Sequence, residues 1–155
     1  MNVNLLSDTE AEQLRQLIAE AEHIVICAHK SPDGDAIGSS LAWKSYLKQI
    51  GKTDVTVCMP DAYPDFLQWL PEANTILRYD KHPDRVQQVF DNADLVCCLD
   101  FNQYTRVEDM RPTLEGCKAK RILIDHHLEP ETNNAITVSN PNMSSTSEMV
   151  FYIIS

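Results

Sequence analysis

The chain has no CxxC pair, no basic and apolar leader ahead of its first helix, no apolar run of membrane-spanning length, and no excess of positive charge. Each absence removes a class of protein. The five cysteines, Cys27, Cys58, Cys97, Cys98 and Cys117, are odd in number and mostly sit in apolar runs, where Cys behaves as a small hydrophobe. That usage is expected of a reducing, cytoplasmic protein. Secretion and membrane insertion are not expected. With 13 Lys and Arg against 23 Asp and Glu, a net charge of −10, this domain is not built to grip long nucleic acid by itself, because such binding neutralises many phosphates with cationic side chains. A small anionic substrate stays compatible with that charge, since bound divalent ions reverse the local sign. No internal repeat, low-complexity tract or flexible linker divides the chain. Its 155 residues, 43% apolar, are read as one domain or most of one.

Hydrophobic periodicity supplies the elements. Ser7 and Glu10 have capping-box spacing, and Ala11, Leu14, Ile18 and Ala21 recur on one face of an opening helix. Ile24 to Ala28 is a short, wholly apolar strand, and from Asp35 a second helix runs through Ala36, Ser40, Trp43, Leu47 and Ile50 to a stop at Gly51. Val55 to Met59, Leu95 to Leu99 and Arg121 to Ile124 read as further strands, and Ala135 to Val138 as an edge strand. A short helix is expected over Tyr63 to Leu70, another over Asp84 to Phe90 with Pro83 at its start, and a last one over Glu148 to Ile154. Alternation at this spacing predicts an α/β fold, a doubly wound and mostly parallel sheet with helices on both faces. Ligands of such sheets bind beyond the carboxyl ends of the strands.

At those ends the sequence changes character. His29-Lys30-Ser31-Pro32-Asp33-Gly34-Asp35 follows the first strand, Asp100 follows the Leu95 strand, and Asp125-His126-His127 closes the Arg121 strand. Taken singly, each has an ordinary explanation. Pro-Asp-Gly-Asp is common in turns, paired histidines are often structural or surface groups, and Asp100 suits a cap. Three separate strand ends that all supply ligand-type residues point instead to one metal site. Carboxylate and imidazole donors without thiolate favour manganese, with magnesium, zinc or iron as other divalent choices. Gly34 permits a turn that aims Asp33 and Asp35 apart, one toward each of two ions, with Asp100 bridging. Two ions roughly 3.5–4 Å apart suit hydrolysis at phosphorus.

The combination of H-x-x-x-D-x-D with Asp125-His126-His127 resembles the DHH phosphoesterase superfamily, from about His23 to the end of the chain. The segment HKSPDGDAIGSSLA is most similar to the bacterial oligoribonuclease and phosphoadenosine-phosphate phosphatase group, related to RecJ-like exonucleases. The resemblance implies that His29 and Asp33 bind one Mn2+ ion and Asp35 and His126 the other, with Asp100 between them. It implies a phosphate contact and proton-transfer role for His127, and an orienting role for Asp125. Arg106 matches an arginine of the group, with a phosphate contact and a structural salt bridge equally open. Ser144, Ser145 and Thr146 lie where the group has a small-residue helix start, whose N–H groups suit an anion; helix capping is the preferred reading.

The resemblance also implies a fourth motif with a further Asp, and a substrate-binding DHHA1 domain, that residues 1–155 do not contain. The apolar stretch from Met149 to Ile154 ends without a glycine cap or polar tail, which fits an N-terminal DHH domain of a longer enzyme. The expected activity is two-metal hydrolysis of phosphoester bonds in short oligonucleotides or in 3′-phosphoadenosine 5′-phosphate, weak in this domain alone. An inorganic pyrophosphatase or polyphosphatase, and a non-catalytic nucleotide- or metal-binding module, are the alternatives. A homodimer is left open.

Overall fold

The computed structural model describes residues 6–125, 134, 136–139, 143 and 145–154. The opening helix α1 (Asp8–Glu20) begins at the capping box read from sequence: the Glu10 N–H donates to Ser7 Oγ at 3.1 Å and the Ser7 N–H to Glu10 Oε1 at 3.3 Å. Strand β1 (Ile24–Cys27) follows, then α2 (Gly34–Gln49), whose C-terminal turn is closed by Gly51 at φ +98°, a left-handed position that suits glycine. Strand β2 (Val55–Met59) leads through 3-10 turns at Asp65–Leu67 and Ala73–Thr75 to the two-residue β3 (Leu77–Arg78). The helix expected over Tyr63 to Leu70 is therefore a single 3-10 turn. Pro64 and Pro71 bracket that stretch and limit the length of any helix within it.

Helix α3 (Pro83–Asn92) has its proline in the first turn, where the missing N–H costs nothing. Strand β4 (Leu95–Leu99), a 3-10 segment at Tyr104–Met110, the short α4 (Arg111–Glu115), β5 (Lys120–Asp125), β6 (Ile136–Ser139) and α5 (Thr146–Ile154) complete the order. All the pairings are parallel, in the order β3-β2-β1-β4-β5-β6. The edge position expected of β6 is observed; Ala135, at its expected start, lies outside the described residues.

Successive side chains of a strand point to opposite faces, and here both faces are buried. Ile24, Ile26, Val57, Met59, Leu95, Cys97, Leu99, Ile122 and Ile124 form one core with Leu14 and Ile18 of α1, Trp43 and Leu47 of α2, and Met149 and Val150 of α5. Val25, Cys27, Cys58, Val96, Cys98 and Leu123 form the other with Val86 and Phe90 of α3 and with Phe101, Val107, Met110 and Leu114. The sheet is thus doubly wound, as its alternation predicts. All five cysteines are free and buried. No helix of the described residues is long and apolar enough to cross a membrane.

Strand order reverses between β1 and β4: from β1 the chain builds outward through β2 and β3, then returns to place β4 on the other side. The crevice beyond these two carboxyl ends is where a doubly wound sheet leaves room for a ligand. On the second face, buried Arg121 of β5 holds the α4 end, its Nη2 donating to the carbonyls of Leu114, Glu115 and Cys117 at 2.8–2.9 Å. Its guanidinium also lies over the Tyr104 ring, 5.3 Å from the centroid. Arg121→Met would leave these carbonyls without that donor, so a loss of about 1–3 kcal/mol is expected from urea unfolding. An unchanged midpoint would show that the helix end is satisfied in another way.

Candidate metal centre

Parallel register places the candidate ligands together. Cys27 pairs with Cys98, so His29 and Asp100, each two residues further on, leave β1 and β4 at the same level. The loop after β1 is held on both sides. The Ser31 N–H donates to Asp61 Oδ1 at 2.7 Å, while the Lys30 N–H donates to the Arg106 carbonyl at 2.9 Å and Lys30 Nζ to Glu108 at 3.0 Å. Ser31 is bent into a left-handed conformation, φ +52°. Asp33 then caps α2, its Oδ1 accepting from the Ala36 N–H at 2.9 Å. Asp100 also has a left-handed backbone, φ +63°, which Asp tolerates better than most residues. Its N–H still donates to the Ile124 carbonyl at 3.1 Å, so the bend occurs where β4 is anchored to β5.

His29, Asp33 and Asp100 form a cluster whose ligand atoms lie within 4.8 Å of one another. His29 Nε2 is 3.2 Å from Asp100 Oδ2 and 3.7 Å from Asp33 Oδ1. Its Nδ1 meets the Lys30 carbonyl at 2.7 Å. A carbonyl only accepts, so Nδ1 carries the proton and Nε2 is the nitrogen facing the carboxylates. That orientation is the one a histidine ligand requires. Asp33 is mostly exposed, Asp100 is buried, and His29 lies between the two extremes.

Charge in this crevice is unbalanced in a way that fits a cation. Asp100 contacts the Asp35 carboxylate; burial, and then the like charge of Asp35, push the Asp100 carboxyl above its ordinary value. Burial pushes Asp35 up as well, but hydrogen bonds from Ser147 and Thr146 outweigh it and hold the group low. The hydrogen bond to Asp100 raises His29. Hard carboxylate and imidazole donors crowded together in this way suit a divalent cation.

Asp35, the first-turn acid of α2, is turned toward the start of α5. The Thr146 N–H donates to its Oδ2 at 3.0 Å and the Ser147 N–H to its Oδ1 at 2.8 Å, while Thr146 Oγ1 donates to Asp100 Oδ1 at 3.0 Å. Asp35 thus lies beside the cluster, in contact with Asp100, and outside the group of three. Asp125 is fully buried at the end of β5. Arg106 is exposed and forms no ion pair among the described residues; its backbone carbonyl holds Lys30. Ser145 Oγ accepts from the Glu148 N–H at 3.1 Å, the helix cap preferred from sequence. His126, His127 and Ser144 lie outside the described residues. Sequence reading did not anticipate Asp61 as the loop anchor or Thr146 as a partner of Asp35 and Asp100. No local pattern announces a contact between residues 111 positions apart, such as Thr146 and Asp35.

A model of the N-terminal domain of the DHH family matches residues 23–155. The bifunctional oligoribonuclease and PAP phosphatase NrnA of Thermus thermophilus is 35% identical over 127 residues, covering 82% of this chain and 35% of that protein. An exopolyphosphatase-related protein from Bacteroides fragilis has a crystal structure that superposes with a TM-score of 0.95 at 41% identity, over 98% of this chain and 44% of that one. RecJ of Thermus thermophilus, solved in complex with Mn2+, is alike in fold alone, with a TM-score of 0.56 at 17% identity over 97% of this chain and 21% of that one. The chain spans less than half the length of these relatives.

The facing carboxylates make a pH-dependent contribution to stability when metal is chelated. A group raised in the folded state contributes stability below its unfolded value that is lost as pH climbs through the folded one. Asp100 is raised from 3.8, so the chelated chain loses that contribution above 3.8, whereas the low Asp35 keeps its own at the same pH. Asp100→Asn tolerates the left-handed backbone and does not ionise. In chelator at about pH 8.5 we expect its urea midpoint to equal or exceed that of the parent chain, with the advantage shrinking toward acid. Adding Mn2+ at 100 times its Kd should then stabilise only the parent, by about 2.7 kcal/mol. A large loss for Asp100→Asn in chelator at alkaline pH would contradict the facing-carboxylate account.

Proposed function

The chain belongs to the DHH phosphoesterase superfamily, and on that premise we propose that it is the N-terminal domain of a metal-dependent hydrolase acting on phosphoester bonds of short oligonucleotides or of 3′-phosphoadenosine 5′-phosphate. The observation that carries this reading is the cluster of His29, Asp33 and Asp100 at the carboxyl ends of β1 and β4, where strand order reverses. The activities of the Thermus relative, oligoribonuclease and PAP phosphatase, support the substrate class.

In this reading His29, Asp33 and Asp100 hold one Mn2+, with Asp35, Asp100 and His126 serving a second; Mg2+ or another divalent ion suits the same donors. The chemistry such ions supply when bound is activation of a water and neutralisation of charge on the phosphoryl group. The protein supplies orientation. The Lys30 carbonyl fixes the His29 tautomer through Nδ1, and the α2 N-terminal N–H of Ala36 holds the Asp33 carboxylate while leaving it exposed. Buried Asp100 is fixed by its strand end and by Thr146. His127 is assigned the phosphate contact and proton transfer, buried Asp125 an orienting role, and exposed Arg106 a second phosphate contact. Ser145 is retained as a cap. A further domain, supplied by the longer protein, is assigned substrate capture, and the cytoplasm is the proposed compartment.

A second reading, hydrolysis of pyrophosphate or polyphosphate, is favoured by the exopolyphosphatase-related description of the Bacteroides relative. Incubation of the full-length protein with Mn2+ and a dinucleotide, 3′-phosphoadenosine 5′-phosphate or pyrophosphate, followed by chromatography, separates the readings. We expect mononucleotide or adenosine monophosphate from the nucleotide substrates. Turnover of pyrophosphate alone would select the second reading. In the full-length protein Asp100→Ala is expected to lose at least about 100-fold in kcat, equivalent to about 2.7 kcal/mol, and normal manganese-dependent turnover by that variant would overturn the site assignment.

A further inference from the structure

Thr146 reaches both Asp35 and Asp100 with separate donors: its backbone N–H meets Asp35 Oδ2 and its hydroxyl meets Asp100 Oδ1, both at 3.0 Å. The side chain is fully buried, so neither donor is exchanged with bulk water. We propose that Thr146 is a positioning residue for the metal cage, and that its hydroxyl sets the orientation of the Asp100 carboxylate. This inference rests on the metal-centre reading above.

The geometry explains how one hydroxyl does this. A carboxylate rotates about its terminal bond in a broad, two-fold well, and only partners on its two oxygens select one orientation. Thr146 Oγ1 engages Oδ1 of Asp100, which leaves Oδ2 facing His29 Nε2 at 3.2 Å. The Thr146 and Ser147 N–H groups engage both oxygens of Asp35, and Ser147 Oγ donates to the Asp35 carbonyl at 3.3 Å, so the first turn of α5 is latched onto the first turn of α2. Gly38 lies beneath that latch; a Cβ there would sit 3.5 Å from Ser147 Oγ, in ordinary contact, which shows how closely the two helices approach. Ser145 meanwhile caps the helix itself through Glu148. Capping and carboxylate positioning are therefore divided between neighbouring residues.

Partners of this kind, outside the ligand set, typically affect metal affinity by about 10–100-fold. The test measures Mn2+ affinity, through the electron paramagnetic resonance signal of free Mn2+, for the parent chain and for Thr146→Ser, Thr146→Val and Thr146→Ala. Thr146→Ser keeps the hydroxyl and is expected to bind within about 3-fold of the parent, whereas Thr146→Val and Thr146→Ala should weaken binding by about 10–100-fold. Urea unfolding in chelator confirms that the variants are folded. Thr146→Ala avoids the crowding that a branched apolar side chain could impose if Thr146→Val failed to fold. Parent-like affinity in a folded Val or Ala variant overturns the proposal. So does equal loss in the Ser variant, which would assign the effect to packing of the methyl group. A parent chain that bound no Mn2+ would overturn the metal-centre reading itself, an outcome distinguishable from failure of the Thr146 assignment.

Discussion

Parallel pairing between β1 and β4 is the constraint on which the site depends, because it sets the height at which two chemically different loops leave the sheet. Cys27 faces Cys98 across that pair. A shift by one residue would move every strand side chain to the opposite face and place hydrophobic Ala28 or Leu99 where a ligand now emerges. The register is in turn held by two cores, one on each face, so neither face is free to slip toward solvent. A small polar cluster is thereby anchored on some of the most thoroughly buried strands in the molecule.

Rigidity is needed because the cluster opposes its own assembly. Asp35 and Asp100 are brought into contact although both are acids, in a chain already carrying ten more negative than positive charges. The fold accommodates this in two ways. Asp35 is stabilised as a carboxylate at the start of α5, where backbone N–H groups and the helix dipole favour negative charge. Asp100 has less such relief; burial and the neighbouring acid push its carboxyl up, and His29 shares the burden. His29, Asp33 and Asp100 together face one space with their ligand atoms within 4.8 Å of one another. Left-handed backbone at Ser31 and Asp100 marks the same two loops, consistent with strain being held where function requires an unusual chain direction.

Much of the architecture was legible from pattern. The apolar runs beginning at Ile24, Leu95 and Ile122 became the central strands, and the Ser7 and Glu10 spacing became a formed capping box. Elements with little periodic signal escaped. Strand β3 has only Leu77 and Arg78, both half-buried, and α4 is a single turn or so preceded by a 3-10 segment too short to repeat a hydrophobic face. The stretch after Tyr63 has apolar residues at helical spacing, yet its flanking prolines leave one 3-10 turn, with Phe66 and Trp69 largely exposed.

The site divides along similar lines. The sequence by itself determined which ligand-type groups stand at the strand ends: His29, Asp33 and Asp100 follow apolar runs, and hydrophobic periodicity shows that those ends lie along one edge of the sheet. Tertiary structure alone decided how they are arranged. It joined His29, Asp33 and Asp100 into one cluster, turned Asp35 toward α5, placed Arg106 with its backbone on Lys30, and made Thr146 the link between two carboxylates. The physical reason is range. Periodicity and turn chemistry act over a few residues, whereas the hydrogen bonds that orient these carboxylates cross 46 and 111 positions and exist only once the sheet and both helix layers are packed.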